Sequence, residues 1–257
     1  MATDDANPPE SQAGADGGVT SMESSTMILR KLYANRLAKL PQNRRVAVAR
    51  VASGVLLDAF CFDPDPTVIS GILSNPGFST KHGRLIAAHH HNGMGIHHLA
   101  RRSEILRDRR VRMSLIQNAQ TPPVVMRRVV QWLPLIELFK LLKGRNMTDQ
   151  SRRIIREVFR SKYARGGGDE KASLVINTDG RCLPMLIGLP MDGRTAALVC
   201  RRSMFSTMFV QNLCRFSGTP PNVLQHLLRQ TMVRRNAGLR QRILRHPNCP
   251  KSLKLKG

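Results

Sequence analysis

The chain has 257 residues, 41% of them hydrophobic but only 4% aromatic, and a net charge of +24. That length suits one large domain, two small ones or an elongated repeat array, with a core of Leu, Ile, Val, Met and Ala that favours helices over sheets. No apolar run approaches the ~18 residues of a membrane span; the N-terminus lacks the basic and apolar regions of a signal peptide; and five scattered cysteines (Cys61, Cys182, Cys200, Cys214, Cys249) without a CxxC pair read as reduced thiols of a cytoplasmic protein.

Residues 1–25 carry five acids and no Lys or Arg. Poor in large apolar side chains, they cannot repay the entropy of ordering and are expected to form a disordered acidic leader. The other 12 of the 17 carboxylates face all 41 Lys and Arg, a net of +29 on the rest of the chain.

From Met27 the apolar spacing becomes helical, and Val46 to Ala59 reads as one buried helix that ends at Pro64 and Pro66. Asp63-Pro64-Asp65-Pro66 to Asn75-Pro76 then spells a short helix with a stop at each end, and Asp108 to Pro123 spells it again. Val68 aligns with Val111 and Asn75 with Asn118, both 43 residues on. Ser217-Gly218-Thr219-Pro220-Pro221 and Arg245-His246-Pro247-Asn248-Cys249-Pro250 repeat the punctuation. A Thr or Asn oxygen can cap a new helix, and proline at its first position gives up only an orphan N–H. Repeated, this spelling writes a stack of helix pairs.

The third quarter follows suit. Val124 to Leu142 gives apolar faces bent at Pro134, Lys143-Gly144 is a helix stop, and Thr148 or Asp149 caps a helix with Ile154, Ile155, Val158 and Phe159 inward. Residues 166–171 read as a Gly-rich linker between a 26–165 repeat region and a 172–257 basic repeat region. Around Thr178-Asp179-Gly180, residues 172–190 fit either a hairpin or two short buried helices. The last 65 residues, 193–257, hold 13 Lys and Arg and no acidic side chain.

The Asp-Pro, Asn-Pro, Thr-Pro spelling resembles HEAT-like and leucine-rich-repeat-variant α-solenoids. Residues 58–165 are most similar to a group of bacterial HEAT-like repeat proteins, through Asp63-Pro64, Asn75-Pro76, Arg102-Ser103-Glu104, Asn118 to Pro122 and Arg152 to Arg160. The resemblance implies a right-handed α-superhelix and a binding role, and brings no catalytic residue. Variant-repeat proteins that hold an iron–sulphur cluster do so on a cysteine cluster absent here, so no cofactor transfers.

The expected fold is therefore all-α, an α-solenoid of short helix pairs. Its expected site is a polyanion-binding stripe of arginines near helix ends: Arg101, Arg102, Arg109, Arg110, Arg127, Arg128, Arg152, Arg153, Arg156, Arg201, Arg202, Arg234, Arg235, Arg240 and Arg242. The expected partner is nucleic acid, as duplex or structured RNA, or else an acidic protein. One Trp and two Tyr supply little for stacking on single strands. His82, His89, His90, His91, His97 and His98 read as a polar turn whose histidines gain charge near pH ~6.5, rather than as a metal site, because local acidic ligands are lacking. No catalytic elbow, phosphate loop or acid–base pair appears; Glu104 and Asp108, among arginines, read as salt-bridge partners.

Overall fold

The computed structural model describes residues 17–144, 147–202 and 204–254, with side chains from Ser24 onward. The described residues are helical or in turns, with no strand among them. The chain falls into two compact units, Met1–Pro122 and Pro123–Gly257.

The first unit contains α1 (Gly17–Leu32), which runs on into a π-helical turn at Tyr33–Leu37, then α2 (Gln42–Val51), α3 (Gly54–Phe60), α4 (Pro66–Leu73), α5 (Thr80–His89), α6 (Gly93–Ala100), α7 (Ser103–Leu106) and α8 (Arg109–Gln117). Helix α2 packs on α4, α4 on α6, and α5 on α8. The second unit contains α9 (Pro123–Val130), α10 (Leu135–Lys143), α11 (Asp149–Arg165), α12 (Gly168–Asn177), a 3₁₀ turn at Leu183–Leu186, α13 (Gly193–Cys200), α14 (Thr207–Arg215), α15 (Pro221–Arg229), α16 (Thr231–Arg234), α17 (Ala237–Leu244) and α18 (Lys251–Lys254). There α9 and α10 pack on α11, α12 on α13, α13 on α15, and α14 on α17. The core is aliphatic, as the composition requires, with Phe60, Phe159, Tyr163 and Phe209 among its largest members.

The repeated spelling has a physical counterpart at the helix joints. Asp65 caps α4 by accepting from Thr67 N, and Asp108, 43 residues on, caps α8 by accepting from Val111 N. Asn75 Nδ2 donates to Ala49 O and Ala52 O, both at 2.8 Å, at the C-terminal end of α2. Asn118 Nδ2 does the same to Ala87 O and His90 O, both at 3.0 Å, at the end of α5. Each asparagine thus satisfies two of the four carbonyls that a helix end leaves without a partner. Its Oδ1 meanwhile accepts from the backbone two residues on, at Gly77 N or Gln120 N.

The Thr-Pro-Pro joints work in the opposite sense to the one their spelling suggests. Thr121 Oγ1 donates to Leu115 O (2.6 Å) and Thr219 Oγ1 to Leu213 O (2.7 Å). The hydroxyl closes the outgoing helix, α8 or α14, and proline alone opens the incoming one.

Four expectations change. Val46 to Ala59 is two helices, not one: Ala52 and Ser53 are extended, and Gly54 enters α3 with φ +53, leaving Val51 79% and Val55 60% exposed. Of the two readings of residues 172–190, the hairpin falls and the helical one stands: they hold the end of α12 and the 3₁₀ turn at Leu183–Leu186. Asp179 (φ +47) and Gly180 (φ +70) take the left-handed backbone that an Asp-Gly hairpin turn needs, but use it to end α12, where Gly180 N donates to Val175 O at 2.8 Å. The same conformation serves both purposes, so the dipeptide alone does not choose. The break expected over 166–171 narrows to Gly166 and Gly167, since Gly168 already begins α12, and the division between units lies at Pro122–Pro123. Of the expected leader, 1–16 lies outside the described residues, whereas from Gly17 the chain is helical. Extending an existing helix costs far less than nucleating one.

Candidate polyanion-binding surface

Most of the carboxylates among the described residues are engaged by the fold. In the first unit Arg45 pairs with Asp63 (2.9 Å), Lys81 with Asp58 (2.5 Å), Arg84 with Asp108 (2.5 Å) and Arg102 with Glu104 (3.7 Å), while Asp65 caps α4. The Arg84 guanidinium and the Val111 amide hold the Asp108 carboxyl down to about 2. Asp63 moves the other way: burial raises its carboxyl despite the Arg45 pair, so desolvation outweighs attraction there. In the second unit Glu157 holds Arg127 (2.6 Å), Asp169 holds Arg194 (3.0 Å), Asp179 holds Arg202 (3.2 Å) and Asp192 holds Lys171 (2.8 Å). Glu170 accepts from Leu135 N. Beyond Asp192 the sequence holds no acidic side chain, so arginines there are neutralised only where an earlier carboxylate reaches them, as Asp169 does Arg194 and Asp179 does Arg202.

The fifteen predicted arginines therefore divide into two kinds. Some are structural. Arg102 donates to Leu73 O (2.8 Å), Arg152 to Gly144 O (3.3 Å) and Arg202 to Ile176 O (3.4 Å), each supplying a donor to a backbone carbonyl, and Arg127 is held by Glu157. Arg202 also lies over the Phe209 ring at 5.0 Å. The others stand exposed, as Arg102 and Arg127 also do: Arg101 closes α6, Arg109 and Arg110 open α8, and Arg128 lies on α9. Arg153 and Arg156 lie on α11, Arg201 closes α13, Arg234 and Arg235 end α16, and Arg240 and Arg242 lie on α17. The first four expected positions (Arg101, Arg102, Arg109, Arg110) belong to the first unit and the rest to the second, so the set is not one stripe on one unit.

Among the concavities that carry basic side chains, acid content separates the following ones. A groove of about 1230 Å³ between α1, α3, α5 and α8 contains Arg109 and Arg110, but its Lys81 and Arg84 are matched by Asp58 and Asp108. A hollow of about 610 Å³ beside α9 and α11 holds Arg127, Lys162 and Arg165 together with Glu157 and Glu170. A shallow depression of about 330 Å³ between α14 and α17 is lined by Arg215, Arg242 and Arg245 with Gln211, Cys214, His246 and Pro247, and by no carboxylate. No hydrogen bond or ion pair engages those three guanidiniums among the described residues.

Arg215 and Arg245 escape a search for Arg-Arg pairs. Both are single arginines, 30 residues apart, each standing immediately before a helix joint. That position was the available signal. The two joints are tied together: His246 Nδ1 accepts from Asn248 N (3.1 Å), so its ring proton sits on Nε2, which donates to Phe216 O (3.0 Å). Asn248 Nδ2 donates to Ser217 O (2.7 Å) and Thr219 O (2.9 Å).

Three of the first unit's histidines, His82, His89 and His90, do not join the charged turn that their clustering suggests, whereas His91 and His97 stand exposed. His82 is buried: its Nδ1 accepts from Ser79 N (3.0 Å), and its Nε2 faces Asp58 at 3.3 Å. His90 is buried, donates from Nδ1 to Asp63 O (3.1 Å), and packs its Nε2 against Gly95, where an added Cβ would lie 2.0 Å away. His89 stacks on Phe62 and bonds Arg30. Burial lowers all three below the usual histidine value, so they resist the protonation expected near pH ~6.5. Among the described residues no three His, Cys, Asp or Glu side chains gather as metal ligands would, and no helix is long and apolar enough to cross a membrane.

Comparison of the chain with protein families, with curated proteins and with solved structures found no match in any of the three.

Proposed function

We propose that this chain is a non-enzymatic α-helical repeat protein of the HEAT-like kind that binds nucleic acid by its phosphates, as duplex or structured RNA. The observation that carries the reading is the acid-free stretch from Gly193 onward, whose arginines on α14, α16 and α17 are exposed and unneutralised. Charge left unpaired on a folded surface repels itself, and a polyanion relieves that repulsion while releasing its own counterions. The near-identical joints at Asn75 and Asn118, and at Thr121 and Thr219, support an α-solenoid built from repeated helix pairs. Trp132, the chain's single Trp, is 51% exposed and has no second exposed aromatic beside it in sequence, which favours phosphate and shape contacts over base stacking.

The reading is tested by titrating a fluorescent 20-base-pair duplex at several salt concentrations. For six phosphate contacts the logarithm of the affinity falls with the logarithm of salt at a slope of about −5. A salt-independent affinity overturns it. A second reading, a scaffold for an acidic protein partner, draws on the first unit's groove, where Ile28, Leu29, Val55, Leu85 and Met113 sit beside Arg109 and Arg110. Stoichiometric recovery of one acidic protein after nuclease treatment, with no duplex binding by the pure chain, is the outcome that favours it.

A further inference from the structure

We propose that the depression between α14 and α17 is a phosphate-binding site, in which Arg215, Arg242 and Arg245 close on a single phosphate group. The proposal rests on the polyanion reading and gives it a specific address.

Three guanidiniums line one hollow of about 330 Å³, Gln211 adds an amide at its wall, and no carboxylate reaches it. Helix ends offset only part of this charge. Arg215 is the last residue of α14, while Arg242 and Arg245 stand at the last turn and C-cap of α17. A helix C-terminus carries roughly half a negative charge, so two of them balance about one of the three arginines. Roughly two positive charges remain, which matches a terminal or free phosphate dianion and more than neutralises the single charge of one internal phosphodiester. Arginine forks match phosphate oxygens bidentately, where a lysine would present only a point charge.

The frame around the hollow is fixed. Helix α14 packs on α17, and His246 and Asn248 bind the Phe216, Ser217 and Thr219 carbonyls of the opposite joint. The arginine backbones are thereby held in place before any ligand arrives, which lowers the cost of ordering on binding. His246 already uses both ring nitrogens within the protein, so it forms a wall and not a ligand. Cys214 lies in the same hollow as a half-buried neutral thiol and can report on its occupancy.

The phosphate has two possible sources, an internal phosphodiester of a nucleic-acid backbone or a terminal or free phosphate. The test uses the full chain, a 20-base-pair duplex with 5′-hydroxyl ends, and inorganic pyrophosphate. The R215Q/R242Q/R245Q variant is compared with R201Q/R234Q/R235Q, which removes the same charge from outside the hollow, and circular dichroism confirms that both are folded. We expect the first variant to lose at least tenfold more duplex affinity than the second, with the salt slope shrinking by about one for each phosphate that is no longer neutralised. Arg242→Lys, which keeps the charge and loses the fork, should lose several-fold. Pyrophosphate should slow maleimide labelling at Cys214, followed by mass spectrometry, in the wild type and not in the first variant.

Protection by pyrophosphate together with equal duplex losses in the two triple variants assigns the site to terminal or free phosphate. Equal duplex losses without protection overturn the site and leave the polyanion reading standing. Absent or salt-insensitive duplex binding by the wild type overturns that reading, and the site then stands or falls on the pyrophosphate arm alone.

Discussion

Asn75 and Asn118 show how much one side chain contributes at a helix joint. Each donates two hydrogen bonds to carbonyls that otherwise lack partners, and Asn75 is buried. Asn75→Ala strands two acceptors away from water and should cost about 1–3 kcal/mol, read from urea unfolding. Asn248→Ala, whose carbonyls lie nearer solvent, should cost less; the reverse order would mean that the joints are held chiefly by packing. The histidines make a second prediction. His82 and His90 lie below their ordinary value in the folded chain because burial disfavours the imidazolium. The unfolded chain therefore takes up protons first, near pH ~6.5. Stability is full above that pH and is lost as pH falls through the lowered folded values. Asp108, held down to about 2, adds a further loss between about pH 4 and 2, whereas protonating the raised Asp63 works in the stabilising direction. The thermal midpoint should fall between about pH 7.5 and 5, and His90→Asn, which retains a donor toward Asp63 O, should remove part of that fall. A flat profile would show that neither histidine resists protonation. That these histidines cluster was legible in the sequence; that His82 and His90 are buried was not, because burial depends on Asp58, Asp63 and Gly95 arriving from elsewhere in the chain.

Among the elements, the Asp179-Gly180 turn separates local conformation from its use. Both residues have positive φ, and an added Cβ at Gly180 would lie 2.9 Å from Asn212 Cβ. Gly180→Ala should therefore destabilise by about 1–3 kcal/mol, through the backbone strain and the close approach of α14. Gly167→Ala serves as its counterpart: Gly167 has φ −70, and an added Cβ meets nothing within 4 Å, so the change should be neutral or stabilise by about 0.4–1 kcal/mol by restricting the unfolded chain. Equal effects in thermal melts would place the two glycines in the same kind of joint. The cap at Thr148, and the helix starts spelled by Asp63-Pro64-Asp65-Pro66 and by Asp108, were readable because such punctuation depends on neighbours a few residues away, although the capping role of Asp65 and Asp108 was not read. The partners of Asn75 were not, because Ala49 and Ala52 lie 26 and 23 residues back along the chain.

For the whole molecule the charge is decisive. A surplus distributed over a folded surface predicts a steep loss of duplex affinity with salt, at a slope of about −5 for six contacts. Composition and order along the chain by themselves determined that this is a helical protein, that its helices are short and punctuated by Asp, Asn, Thr and Pro, and that its acids end at Asp192. Those are consequences of local propensity and of counting, and they need no long-range contact. Only the tertiary structure decided which arginines remain available. Arg102, Arg127, Arg152 and Arg202 are drawn into carbonyls and carboxylates brought from elsewhere in the chain, while Arg215, Arg242 and Arg245 are left around one hollow without an acid. The physical reason is that a guanidinium's availability is set by the partners folding places within about 3 Å of it, and sequence spacing does not record those partners.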